Sequence, residues 1–231
     1  MMFDIVICSN RPELLEEQYV RTSAFFPDHK IIIIIPKSGM LHGEFRNRGS
    51  SLVMSPFFLM LDDDIVYEEE DVAHMLRYHL MREGLFAINA RITFTDDRGL
   101  QRVQRTESPG VAGGFCMYNT AYFKKIGGFD SEIGVGEDRD LYDSAIKLGY
   151  EWVLDPDVNV LHKGSLLDFI TRRGQHLNPH GELRRRFIVA LKQLIKRPVK
   201  LHRYELRVIV LMMMYDAFNM IGVVRSLGAR K

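Results

Sequence analysis

The chain has 231 residues, 46% hydrophobic and 26% charged, with a formal net charge of +1. Such a chain supports one generous globular domain, or one domain with an appendage, and its near-neutral balance gives no reason to expect nucleic-acid binding. Its two cysteines, Cys8 and Cys116, sit in apolar stretches, which excludes a disulfide framework or cysteine metal site and makes both buried small side chains.

Residues 3–8 form a short Ile/Val-rich run that predicts a strand, closed by Ser9-Asn10-Arg11-Pro12. Ser or Asn before Pro and Glu is a helix-start signal, so a helix is expected over 13–25. Residues 31–35 are five consecutive isoleucines ended by Pro36. A short, wholly apolar, β-branched run predicts a strand buried on both faces, as in a parallel sheet covered by helices. A helix is expected over 43–54 and a second buried strand over 57–61. Residues 68–82 carry Val72, Met75, Leu76 and His79 at helical spacing. A strand follows over 85–90, and Asp96, Asp97 and Gly99 mark a turn between two short strands. Further strands are expected over 115–118, 152–154 and 158–161, with a helix over 139–148 that Gly149 ends. Strands alternate with helices up to about residue 90, which argues for an α/β fold with a largely parallel sheet. Beyond about residue 165 the pattern turns helical, with one helix over 183–195 and another over 201–224.

The apolar run 57–61 leads directly into Asp62-Asp63-Asp64. In open α/β sheets, ligands bind at the carboxyl ends of strands. Three adjacent carboxylates repel one another, and a hard divalent cation with oxygen ligands compensates them. Such a cation also stabilises a diphosphate leaving group. Four apolar residues followed by Asp-x-Asp resemble the signature of glycosyltransferases with the GT-A fold. The resemblance implies that Asp62 faces the nucleotide and that Asp64 binds the metal. The repeated Asp permits a second register, so Asp63 stays an alternative.

Residues 110–143 read GVAGGFCMYNTAYFKKIGGFDSEIGVGEDRDLYD. This segment resembles the acceptor half of family 2 glycosyltransferases: a small-residue stretch at Gly113-Gly114, an apolar strand, a Gly127-Gly128-Phe129-Asp130 turn, then Glu137-Asp138 at a helix start. Glycine lets backbone approach a sugar closely. A carboxylate at a helix N-terminus is favoured by the dipole, and beside an acceptor it can take the hydroxyl proton. By resemblance Asp138 is the base and Glu137 orients it or the acceptor. The segment 157–163 resembles a late strand of this fold that ends in a metal-binding histidine, here His162. An imidazole ligand suits Mn²⁺ better than Mg²⁺.

On the donor side, related enzymes use the turn after the first strand for base and ribose. Ser9 and Asn10 are then hydrogen-bonding candidates, and Arg11 directs charge toward phosphate; the same residues also suit helix capping. Arg46-Asn47-Arg48-Gly49 resembles an Arg-Asn-x-Gly segment near the nucleotide, where Arg46 offers bidentate donors. Where many family members carry an Asp-x-x-Ser turn against the base, this chain has Pro36-Lys37-Ser38-Gly39, which leaves the nucleotide open. The resemblance spans residues 3–163.

From residue 182 onward the chain carries 12 Lys/Arg against 3 Asp/Glu, and the rest carries 19 against 27. An acidic body with a basic, amphipathic tail suggests docking on an anionic membrane surface, a dimer contact, or packing on the body of the protein. The start MMFDIVICSNRPE lacks a basic leader, and the most apolar stretch, 208–224, is broken by Asp216 and Asn219. A cytoplasmic protein, peripheral at most, is therefore expected.

The expectation is a GT-A Rossmann-like, mixed but mostly parallel sheet flanked by helices over 1–165, with a basic helical extension over 166–231. Its expected activity is hexosyltransferase-like. It would move a sugar from a nucleotide-diphospho-sugar to a glycan, lipid-linked or small-molecule hydroxyl, inverting through an Asp base with Mn²⁺ or Mg²⁺. The competing readings are a sugar-phosphate nucleotidyltransferase and a non-catalytic carbohydrate-binding protein.

Overall fold

The computed structural model describes residues 2–9, 11–37, 39–95, 102–104, 114–133 and 136–165. Asn10, Gly113 and the expected C-terminal helices lie outside the described residues. Residues Met1–Lys163 form one compact unit.

The elements run β1 (Asp4–Cys8), α1 (Pro12–Phe25), β2 (Ile31–Ile34), α2 (His42–Ser51), β3 (Phe57–Asp62), β4 (Ile65–Val66), α3 (Glu69–Met81), β5 (Leu85–Thr95), β6 (Arg102–Gln104), β7 (Phe115–Asn119), α4 (Thr120–Ile126), α5 (Glu137–Lys147) and β8 (Glu151–Ser165). Among the described residues they build one mixed sheet in the order β2-β1-β3-β7-β5-β8-β4, with β6 paired to β5. The parallel block is β2-β1-β3, which is where strand and helix alternate in sequence. β7 then enters antiparallel between β3 and β5.

Strands β1 and β3 are buried along almost their whole length, as their unbroken apolar runs require. The isoleucine run behaves differently. It was expected to be buried on both faces, but β2 is the sheet edge, and Ile33 and Ile35 are 38% and 66% exposed. Composition alone does not say which buried-looking strand lies at the edge. The two brief strands expected over 152–161 are one strand, β8. Pro156 breaks the apolar pattern but is accommodated within the strand. Two side-chain bonds tie β8 to β5: the Trp152 indole donates to Asn89 Oδ1 at 2.9 Å, and Thr93 donates to Asn159 Oδ1 at 2.7 Å.

Helix α2 packs closely over the parallel block. A side chain at Gly49 would overlap Val6 on β1, so the glycine sets the helix-to-sheet distance. On the same side lies an aromatic core of Phe58, Phe86, Tyr118, Phe123, Phe129 and Trp152. Phe58 stacks on Tyr118 with centroids 5.2 Å apart, and Tyr118 meets Trp152 edge-on at 5.5 Å. Cys8 and Cys116 are buried, as expected, and burial pushes the Cys8 thiol up to about 12.

Helix α3 buries Val72, Met75 and His79 and is closed at its start by a capping box between Glu68 and Asp71. His79 Nε2 donates to the Met117 carbonyl at 2.9 Å, and burial holds its pKa down to about 4 from an ordinary 6.5. The native state therefore binds fewer protons than the unfolded chain between these values. The stabilisation is complete above about pH 6.5 and is lost as pH falls toward 4. Between pH 7 and 5 this one residue is expected to remove about 2 kcal/mol. Urea unfolding at both pH values checks it: His79→Gln, which keeps a donor for Met117, should show a clearly smaller loss than the wild type.

Candidate active site

The register of the parallel strands builds the site. Cys8 on β1 lies opposite Asp62 on β3, so the residues that follow each strand emerge side by side at the carboxyl edge. Ser9 and Arg11 thereby meet Asp63 and Asp64. The Ser9 hydroxyl donates to Asp63 Oδ2, and the Arg11 guanidinium bonds both Asp63 oxygens, with Nε at 3.1 Å. The same guanidinium reaches Asp64 Oδ2 at 2.8 Å. Asp63 and Asp64 are both buried. Arg11, expected to point at phosphate, is here the counter-charge of Asp63 and Asp64.

Ser9 and Asn10 were also expected to cap α1. Arg11 holds the N-cap position without a side-chain cap bond, and Pro12 begins the helix. Ser9 Oγ accepts from the Arg11 amide at 2.9 Å, which fixes the turn and frees its hydroxyl hydrogen for Asp63.

His162 arrives through β8. Its pairing with β4 sets His162 opposite Ile65, one residue beyond the triplet. The His162 Nε2 stands 3.3 Å from Asp64 Oδ1, and the Lys163 amide donates to the Asp64 carbonyl at 2.6 Å. The Lys163 ammonium pairs with Glu17 on α1, which ties this strand end to the first helix. Asp64 and His162 are thus brought together across about 100 residues of chain, with one nitrogen and one carboxylate oxygen adjacent.

Asp62 has a different environment. Its side chain is 31% exposed, and Arg46 on α2 donates to it at 3.0 Å. Arg46 is buried, and its other terminal nitrogen donates to Glu137 at 3.0 Å. Burial works against the guanidinium charge, but Asp62, Glu137 and Asp138 outweigh it and hold Arg46 above its ordinary pKa. One guanidinium therefore fastens the triplet to the Glu137-Asp138 pair. Arg46 was expected to offer its fork to a base or phosphate; the fork is engaged by carboxylates. This bridging role escaped the sequence reading. The only signal for it was an arginine on an otherwise buried helix face, and its partners lie 16 and 91 residues away.

Glu137 and Asp138 occupy the first turn of α5 and are buried at 5% and 7% exposure. Asp138 Oδ1 accepts from the Arg139 amide at 2.9 Å. Asn47, expected near the nucleotide, bonds the backbone of Phe129. Its amide donates to the Phe129 carbonyl at 2.7 Å and accepts from the Phe129 amide at 2.8 Å. Asn47 thus clamps the Gly127-Gly128-Phe129-Asp130 turn that leads toward α5.

Gly114 faces Asp62. Its carbonyl accepts from the Asp62 amide at 2.8 Å, and a Cβ at this position would overlap the Asp62 carboxylate. The close approach expected toward a sugar is made here toward an acid. Gly114→Ala is expected to push Asp62 off Arg46 and to cost about 1–3 kcal/mol, as overpacking does. Urea unfolding measures it, and a variant as stable as the wild type would show that Asp62 has room to yield.

No family model matches this chain, and no curated protein matches it in sequence. Many solved structures match this chain in fold, and two serve as examples. The mannosyltransferase PcManGT from Pyrobaculum calidifontis, in complex with GDP-Man and Mn²⁺, superposes with a TM-score of 0.55 at 13% identity, covering 99% of this chain and 75% of its own. TarS of S. aureus gives a TM-score of 0.50 at 15% identity, over 89% of this chain; the chain spans about half of TarS, 46%. At such identity the likeness concerns fold. The chain has a Rossmann-like GT-A fold, a mixed sheet flanked by helices. No described helix is long and apolar enough to cross a membrane.

Proposed function

We propose that this protein is a metal-dependent glycosyltransferase of the family 2 kind. It transfers a sugar from a nucleotide-diphospho-sugar to an acceptor hydroxyl. The observation that carries the reading is the buried Arg46. It joins Asp62, on the side expected for the donor, to Glu137 beside Asp138, on the side expected for the acceptor. A neighbour of the same fold binds GDP-Man and Mn²⁺, which supports a nucleotide-sugar and a divalent cation for this chain as well.

Asp64 and His162 fit such a cation. Cis ligands of an octahedral ion with bonds of about 2.1 Å stand about 3.0 Å apart, close to the 3.3 Å between Asp64 Oδ1 and His162 Nε2. Both Asp63 oxygens are held by Ser9 and Arg11, whereas Asp64 turns Oδ1 toward His162, which supports Asp64 over Asp63 as the metal ligand. When bound, a divalent cation supplies positive charge against the diphosphate leaving group. Asp62 is the partly exposed acid and faces the donor. Asp138 accepts the proton of the attacking hydroxyl, and Glu137, fixed by Arg46, orients that edge. Attack assisted by a fixed carboxylate on the acceptor side leads to inversion at the anomeric carbon. The basic chain from residue 182 onward is suited to an anionic membrane surface, which would bring a lipid-linked acceptor within reach.

Thermal-shift titration tests the function. Nucleoside diphosphates and nucleotide-sugars are scanned with Mn²⁺, with Mg²⁺ and with EDTA. Binding to the native state should raise the melting temperature only with metal present, and Asp64→Ala should remove the shift. The absence of any metal-dependent shift across the panel rejects the transferase reading. A response confined to nucleoside triphosphates with sugar phosphates would favour nucleotidyl transfer.

A further inference from the structure

A second group of metal-ligating side chains lies away from the triplet. His74 on α3 and Asp155 and Asp157 on β8 each offer one ligand atom, all within 4.8 Å of one another. We propose that these residues form a separate cation site, which takes a first-row divalent transition ion such as Zn²⁺ and staples α3 to β8.

The strongest feature is Asp155. It is completely buried, at 0% exposure. Its Oδ1 accepts the Asp157 amide at 2.9 Å, while Oδ2 accepts no hydrogen bond among the described residues. A buried carboxylate oxygen without a donor is costly unless a cation meets it. That oxygen faces His74 Nε2 at 3.3 Å. Two ligands of a tetrahedral zinc with bonds of about 2.0–2.1 Å stand about 3.3 Å apart, so this pair already has the required separation. Asp157 is exposed, so its carboxylate can swing in to complete a His-Asp-Asp set and leave one position for water.

The surrounding charge points the same way. Asp71 lies one turn before His74 on α3. Burial raises its pKa, its backbone bond to Glu68 opposes this, and the charges of Glu68 and Asp155 add to the rise. The charge of His74 opposes that rise, so Asp71, Asp155 and this imidazole share one electrostatic neighbourhood. The mixed nitrogen and oxygen donors favour a transition ion over Ca²⁺ or Mg²⁺. This site is distinct from Asp64 and His162. Asp157 and His162 are five residues apart on β8, roughly 16 Å along a strand.

Zinc titration of the full chain tests the site. The EDTA-stripped His162→Ala variant, which lacks the imidazole beside Asp64, is titrated with ZnCl₂ by calorimetry, and bound metal is counted after gel filtration. One equivalent is expected to bind. Adding His74→Ala, or separately Asp157→Asn, should weaken binding at least tenfold, and Asp157→Asn should do so while leaving the metal-free melting temperature in place. Both positions are partly or fully exposed, so the variants should fold. The proposal is overturned if the His162→Ala chain binds no zinc. It is equally overturned if both double variants bind zinc as tightly as their parent.

Discussion

Arg46→Met is expected to lower the unfolding free energy by about 3–5 kcal/mol, the cost of removing one partner from a buried ion cluster. The guanidinium side chain is only 6% exposed and divides its two terminal nitrogens between Asp62 and Glu137. Its removal leaves the Glu137 carboxylate buried without that cation, and Asp138 loses the same field. Lysine is a poor replacement, because an ammonium has no planar fork to serve two carboxylates in fixed directions. Urea unfolding of the full chain at pH 7 measures the loss. Neutralising the stranded acid in Arg46→Met/Glu137→Gln should restore about 1–3 kcal/mol, the coupling typical of residues in one network. A single variant within about 1 kcal/mol of the wild type would mean that water reaches the cluster and shields it.

The strands and helices of the first half of the chain were legible because each carries its own pattern. Apolar runs gave β1 and β3, and the 3.6-residue spacing of Val72, Met75 and His79 gave α3 within a residue of each end. What escaped was set by pairing across the sheet. Residues 31–34 look like an inner strand, yet β2 is an edge, because strand order is decided by the whole sheet and not by one segment. β4 has two residues, too few to carry a period, and β8 seemed broken because Pro156 lies inside it.

The candidate site divides along the same line. Asp64 and His162 were singled out as separate residues and stand 3.3 Å apart. The two arginines were found, but their partners were not. Arg11 and Arg46 were expected to meet a ligand, and both meet carboxylates 16 to 91 residues distant. A charged side chain in sequence names its chemistry and not its partner. With three acids in a row, the first demand on a nearby cation is to neutralise them. The His74, Asp155 and Asp157 group left still less trace, since its members come from α3 and β8 with no shared motif.

Asp138→Asn is expected to lower the transfer rate by about 10²–10⁴, the range a positioned general base contributes. The first two acids of α5 are adjacent in sequence but not equivalent. Glu137 is engaged by Arg46, and a carboxylate held by a guanidinium is a weak proton acceptor. Asp138 Oδ1 accepts from the Arg139 backbone amide, which fixes its orientation at the helix start. The helix N-terminus holds it in place. An amide keeps the shape and the Arg139 contact but takes no proton, so the loss should fall on kcat, while donor affinity in the Mn²⁺ thermal shift stays at the wild-type level. Glu137→Gln should show the reverse balance, with reduced stability and a smaller loss in kcat. Single-turnover transfer by both variants, with donor binding measured in parallel, separates the roles. If Asp138→Asn turns over within about tenfold of the wild type, the base lies elsewhere and the acceptor half of the site has to be reassigned.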